Sequence, residues 1–261
     1  MDARPTNDRR YLIVNADDFG CCAGVNQGIL DAHQRGVVTS ASLMVRWPAG
    51  EEAIVAARDC PGLSLGLHVD LGEWAYRDGQ WGEVYGVVAL EDQAAVEREI
   101  RQQVELFFQL AGRKPTHMDS HQHVHRQEPV RSVLRELAQQ LSVPVRHDSP
   151  YVKYCGAFYG QTVTGEALDE AISIESLIGV LRNLPAGVSE LGCHPGLADD
   201  LDTMYARQRS VEVTTLCSPD VRAALVEMGI ELLSFHDLAF AIESLARAAS
   251  RGGAIPLEAS A

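Results

Sequence analysis

Basic residues are scarce in this chain: 22 Lys and Arg stand against 36 Asp and Glu, giving a formal charge of −14 at pH 7. Phosphate backbones are gripped by clustered Lys and Arg, so this balance argues against a nucleic-acid partner. Long apolar runs are missing as well. No stretch reaches the roughly eighteen residues that a membrane span requires, so no membrane association is expected. The opening residues, Met1 to Arg10, are polar and lack the apolar centre of a secretory signal, which makes a cytoplasmic location the economical expectation. The six cysteines (Cys21, Cys22, Cys60, Cys155, Cys193 and Cys217) include no Cys-x-x-Cys pair, which removes the zinc-ribbon and thioredoxin patterns. Free buried thiols are the default in such a chain. A Gly-x-Gly-x-x-Gly fingerprint is also absent, and with it the usual signal for a dinucleotide-binding sheet.

What is present is a regular alternation. Strand-like segments near 11–15, 38–45, 63–70, 115–120, 143–147, 188–194 and 230–235 are separated by helical patterns near 23–35, 49–58, 92–111, 127–141, 166–183, 219–228 and 236–249. In the third of these, Val96, Ile100, Val104, Phe107, Phe108 and Ala111 keep a helical period, and Gly112 can end it. Alternating β and α elements imply a parallel sheet covered by helices, and about seven repeats favour a closed or distorted barrel. With 46% hydrophobic residues, 261 positions suffice for one such domain over 11–248, flanked by loose tails at 1–10 and 249–261.

The most informative segment is Asn15-Ala-Asp17-Asp18-Phe-Gly20, directly after the apolar stretch Tyr11-Leu-Ile-Val14. Two adjacent carboxylates at the end of a buried strand repel one another unless a cation or a proton intervenes. They therefore point to a metal or to a base, although an Asp pair can also cap a helix. Other strand ends supply matching ligands: His68, the run His117-Met-Asp119-Ser-His121-Gln-His123-Val-His125, and His194. A lone histidine after a strand is more often structural than a ligand. Several such ends together with Asp-Asp reverse that weighting, and Asp with His suits zinc as well as manganese, nickel or cobalt. Asp17, Asp18, His68, Asp119, His121, Arg146, His147 and His194 all fall at or beyond the C-terminal ends of predicted strands, the face where catalytic groups of a parallel barrel collect. Cys193 beside His194 leaves a catalytic thiol as a minor alternative.

Two connections are too long for turns. Residues 71–91 carry Trp74, Tyr76, Trp81 and Tyr85; residues 148–165 carry Tyr151, Tyr154, Phe158 and Tyr159. Aromatic long loops above a polar site suit stacking against sugar rings, and packing onto the barrel is the plain alternative.

The motifs Val14-Asn-Ala-Asp17-Asp18-Phe-Gly20, Gly36-Val-Val-Thr-Ser40, Gly66-Leu-His68, Gly112-Arg-Lys-Pro-Thr-His-Met-Asp119-Ser-His121-Gln-His123-Val-His125, Ala157-Phe-Tyr159-Gly160 and Cys193-His194-Pro195 resemble the YdjC-type carbohydrate deacetylases. The resemblance runs from about residue 11 to 196. It implies a distorted TIM-like (β/α) barrel that removes N-acetyl groups from amino sugars or short N-acetylated oligosaccharides with one divalent metal ion, zinc or magnesium. It implies Asp18, His68 and His121 as the metal ligands and Asp17 as the base, with the two Asp roles open to exchange.

The remaining residues take supporting roles. His194 could protonate the departing amine. Asp119 would orient a ligand histidine through its second ring nitrogen, and Arg146 would neutralise a carboxylate or bind substrate oxygens. His123, His125, Trp74, Trp81, Phe158 and Tyr159 would face the substrate or support the ligands. Another metal-dependent hydrolase, an amidohydrolase or phosphoesterase, and a carbohydrate-binding protein without turnover are the competing readings. The sequence leaves a homodimer open.

Overall fold

A computed structural model describes residues 8–197 and 203–252. Its chain order is β1 (Arg10–Phe19), α1 (Ala23–Gln34), β2 (Ser40–Leu43), α2 (Gly50–Arg58), β3 (Ser64–Val69), β4 (Gly72–Arg77), β5 (Gln80–Gly86), α3 (Gln93–Ala111), β6 (Met118–Ser120), α4 (Val130–Leu141), β7 (Val152–Cys155), α5 (Ile174–Arg182), β8 (Gly187–Cys193), α6 (Ala206–Leu216), α7 (Pro219–Met228), β9 (Ile230–Leu232) and α8 (Leu238–Gly252). Seven strands form one sheet in the order β6-β3-β2-β1-β8-β7, with β9 paired to β1. Every pairing in it is parallel. This is a curled, distorted barrel of about seven parallel strands, as the alternation predicts.

β1 is the spine. All its residues after Arg10 are buried, which explains why it reads as a continuous apolar run rather than an alternating one. β2 pairs with its C-terminal half, from Asn15 onward, and β9 with its first residues, Arg10 to Leu12. α3 keeps its predicted boundaries because both ends are capped. The Asp92 side chain accepts from the Ala95 N–H, and Gly112 takes the left-handed conformation at φ 65°.

The differences have local causes. The strand expected at 143–147 shrinks to one bridge between Met118 and Val145, since Pro144 has no N–H to donate and His147 turns away at φ 68°. The 71–91 connection is not an open loop; β4 and β5 form an antiparallel hairpin that sets Tyr76 opposite Trp81. Its turn is Asp78-Gly79, both at positive φ, the dipeptide that two-residue hairpins favour. The C-terminal helix runs to Gly252, past the tail boundary expected at 249. The remainder of both expected tails, 1–7 and 253–261, lies outside the described residues. Among the described residues no helix is long and apolar enough to cross a membrane.

Because β6 and β7 are the two edges, backbone pairing leaves the barrel open between them. Residues 144–146 narrow the opening from the β6 side: Met118 donates to the Pro144 carbonyl and Arg146 donates to the Met118 carbonyl. Arg146 thus enters the gap with its side chain fully buried.

Candidate metal centre and active site

The site begins with a defect in β1. Ala16 pairs with Ala41 and Phe19 with Leu43, so Asp17 and Asp18 together oppose the single residue Ser42. This is a β-bulge, and within it Asp18 adopts a left-handed φ of 68°. In a regular strand, neighbouring side chains point to opposite faces. The bulge re-aims them so that both carboxylates flank His68.

Asp18 is buried, and its two oxygens have different neighbours. Oδ1 lies 3.3 Å from His68 Nε2 and 3.0 Å from His121 Nδ1, while Oδ2 accepts from Arg209 at 2.6 Å. Burial pushes this carboxyl up, but Arg209 and then His121 hold it well below the usual carboxylate range. His68 is fixed from behind, its Nδ1 2.7 Å from Asp119 Oδ1, which leaves Nε2 aimed at Asp18. That carboxylate–histidine arrangement is the support metal-bound imidazoles commonly have. Burial disfavours the imidazolium of His68, yet Asp119 and Asp17 outweigh it and raise its pKa to about 10. Asp18, His68 and His121 offer one oxygen and two nitrogens within 4.8 Å of one another, a donor set that could hold a zinc-like or harder divalent ion. A metal there would have to displace the His68 proton.

A second set, Asp17 with His68 and Asp119, is as close-packed but already has its cation. Arg146 donates to both oxygens of Asp17 at 2.6 and 2.7 Å, and to Glu190 Oε1 at 2.7 Å. It also pairs with Asp119 at 2.8 Å. Its guanidinium stands 4.8 Å over the Tyr154 ring. Burial alone would raise Asp17, but Arg146 keeps it below its ordinary value. Glu190, fully buried behind the same arginine, is pushed up to about 7.

His194 closes the site from β8, with Nε2 3.8 Å from Asp17 Oδ2. Burial pushes it down to about 4 despite Asp17, so it rests neutral at pH 7. Its backbone N–H donates to Glu212, which also accepts from the Tyr205 hydroxyl. Cys193 is buried with its thiol pushed well up by burial, and it donates to the Asn15 carbonyl, which is a structural place rather than a nucleophile's.

The histidine run divides after His121. His117 stacks on Phe235 with centroids 3.8 Å apart and lies 3.0 Å from the Ser42 hydroxyl, a packing role. His123 and His125 are turned into a group of their own with His147.

Around the carboxylates opens a cleft of about 970 Å³, lined by Trp74, Trp81, Tyr154, Phe158 and Tyr159 among others. A larger depression, about 1290 Å³, opens beside Pro115, Thr116 and Val143, residues that precede the strand ends, and touches none of these groups. Trp81 is 53% exposed and Tyr159 40% exposed; Tyr159 stacks on Tyr205 and reaches His194. Phe158, expected to face substrate or support the ligands, lines the floor of this cleft at 1% exposure and packs into the core.

Sequence reasoning misses Arg209, Glu212 and Tyr205. The two charged residues lie on α6, whose buried positions include Gln208, Arg209, Glu212 and Thr215. A helix with so polar a buried face carries no apolar stripe to read.

Comparison with known proteins places this geometry in a family. The chain is 36% identical over 248 residues to a carbohydrate deacetylase of Geobacillus stearothermophilus, covering 87% of this chain and 98% of the relative. It is 33% identical over 264 residues to a chitooligosaccharide deacetylase of Serratia marcescens, covering 88% and 99%. A solved protein of Enterococcus faecalis V583, named for cellobiose-phosphate cleavage, superposes with a TM-score of 0.70 at 28% identity over 88% of this chain and 99% of that one. The family model described as YdjC-like protein matches residues 11–227, a span that holds the Asp17–Asp18 bulge, His68, His121 and His194, and the chain belongs to the YdjC-like family.

Proposed function

We propose that this protein is a metal-dependent carbohydrate deacetylase that hydrolyses N-acetyl groups on amino sugars or short N-acetylated oligosaccharides. The observation that supports the reading is that the two adjacent carboxylates have different partners. Asp18 shares a donor set with His68 and His121, while Asp17 stands beside that set, bound to Arg146 instead. The names of the Geobacillus and Serratia relatives supply the substrate class.

A zinc or magnesium ion held by Asp18, His68 and His121 would lower the pKa of a water and polarise the acetyl carbonyl. The chain's own residues do the rest. Arg146 keeps Asp17 ionised and fixed by two hydrogen bonds, ready to take the proton of the attacking water. His194, neutral at rest, cannot give up an imidazolium proton unasked. With Nε2 3.8 Å from Asp17 Oδ2, it can receive that proton and deliver it to the departing amine. The two arginines nearest the carboxylates are both engaged by them, Arg146 by Asp17 and Arg209 by Asp18, which leaves them poor partners for the phosphate of a phosphoesterase substrate.

Acetate release from a panel of N-acetylated mono- and oligosaccharides, with and without added zinc or magnesium, tests the activity. His68→Ala and His121→Ala should each lose the ion held with Asp18 and the acetate release that depends on it; unchanged metal content in both would refute the ligand set. Within the cleft, Trp81→Ala should raise KM for an oligosaccharide more than for a small acetamide, because the exposed indole offers a stacking face. Equal effects on both substrates would assign Trp81 to hairpin packing against Tyr76, whose ring centroid lies 5.7 Å away.

A further inference from the structure

His123, His125 and His147 form a triangle of imidazoles apart from the carboxylates. Their ring centroids are 5.3 Å (His123–His147), 5.6 Å (His125–His147) and 5.8 Å (His123–His125) apart. One ring nitrogen from each lies within 4.8 Å of the other two. Neither the proposed hydrolysis nor the core accounts for this grouping.

Two of the rings carry buried nitrogens with no partner. His125 is 2% exposed; its Nδ1 is 2.7 Å from the Ser120 hydroxyl, and its Nε2 has no hydrogen-bond partner. His123 Nε2 is 3.4 Å from the Tyr154 hydroxyl, and its buried Nδ1 is likewise unpartnered. Buried polar atoms are rarely left so, because each gives up its water without compensation. The Ser120–His125 contact is also the kind of outer support that fixes a ligand imidazole and aims its other nitrogen. The third ring, His147, is exposed and lines the cleft together with His123, so the triangle has an open side.

We propose that His123, His125 and His147 form a second metal site, selective for zinc-class ions of the late first row. Zinc–imidazole bonds of about 2.1 Å put tetrahedral ligand nitrogens about 3.4 Å apart, so each ring nitrogen needs to move by no more than about 0.8 Å. The donor set contains no carboxylate. Magnesium, which demands oxygen, is therefore rejected here, whereas the Asp18 set can serve either class of ion. This assignment rests on the triangle alone and stands apart from the deacetylase reading.

The test is metal stoichiometry on untagged full-length protein, stripped with chelator, equilibrated with zinc or with magnesium, and measured by elemental analysis. The wild type should hold two zinc ions. His147→Ala should hold one, and because that side chain is exposed the variant should fold normally. His68→Ala should also hold one, and the double variant none. Cobalt absorption gives a second readout: the wild-type spectrum should lose one component in His125→Ala or His147→Ala. Two zinc ions retained in His147→Ala would overturn the proposal, as would a single wild-type zinc that only His68→Ala removes. A single zinc removed by His147→Ala and not by His68→Ala would keep this site and refute the metal ligands proposed for hydrolysis.

Discussion

Asp17→Asn is expected to lose about 10²–10⁴ of kcat while still binding its divalent ion, the usual scale for removing general acid–base help. The amide keeps the shape of the side chain and one acceptor for Arg146, but it cannot take a proton. Asp18, His68 and His121 retain their own contacts, since none of their ion pairs runs through Asp17. Rate and metal content measured on the same preparation decide the matter. A wild-type rate would refute the base role. Loss of metal in Asp17→Asn, with retention in Asp18→Asn, would mean that the two aspartates have exchanged parts.

Arg146→Met should destabilise the fold by about 3–5 kcal/mol at pH 7, the range seen when one partner of a buried ion pair is removed. Methionine fills much of the volume, so the loss is electrostatic: Asp17, Asp119 and Glu190 would remain buried without their cation. The pH dependence separates this from a packing defect. In the wild type, Arg146 helps hold Asp17 and Asp119 below their ordinary values, so both contribute stability that is present above the unfolded carboxylate range and is lost as pH falls from that range through their lowered folded values. Without the cation those carboxyls would be raised and would relieve their repulsion by protonation. The gap in Tm between variant and wild type should therefore narrow from pH 7.5 to pH 5. A gap that does not change with pH would assign the effect to packing.

Much of this arrangement could be read in the sequence where burial leaves a periodic mark. β1 reads as a solid apolar run because both its faces are covered, and α3 shows its period because one face meets the core. The convergence of Asp17, Asp18, His68 and Asp119 followed from a single inference, that parallel strands bring their C-terminal ends together. What escaped lacks such a mark. α6 buries polar side chains, so Arg209 and Glu212 were invisible, although Arg209 touches the candidate ligand Asp18. β7 is four residues long and lies in an aromatic segment that reads equally well as loop. The hairpin does carry a signal, Asp78-Gly79 between alternating aromatics.

The bulge in β1 has a meaning for how such a site can be gained or lost. A strand counts in twos, and an inserted residue ordinarily throws every later side chain onto the wrong face. Here one extra residue is absorbed between Ala16 and Phe19, and the ladder resumes on the far side with Phe19 opposite Leu43. The second aspartate is thus a supernumerary residue that the surrounding sheet does not need for its own register. Deleting it would restore a regular ladder with one carboxylate, while leaving the buried Arg209 without its partner. The step between a plain parallel sheet and one bearing paired acidic groups is therefore a single codon, taken without re-aligning anything downstream.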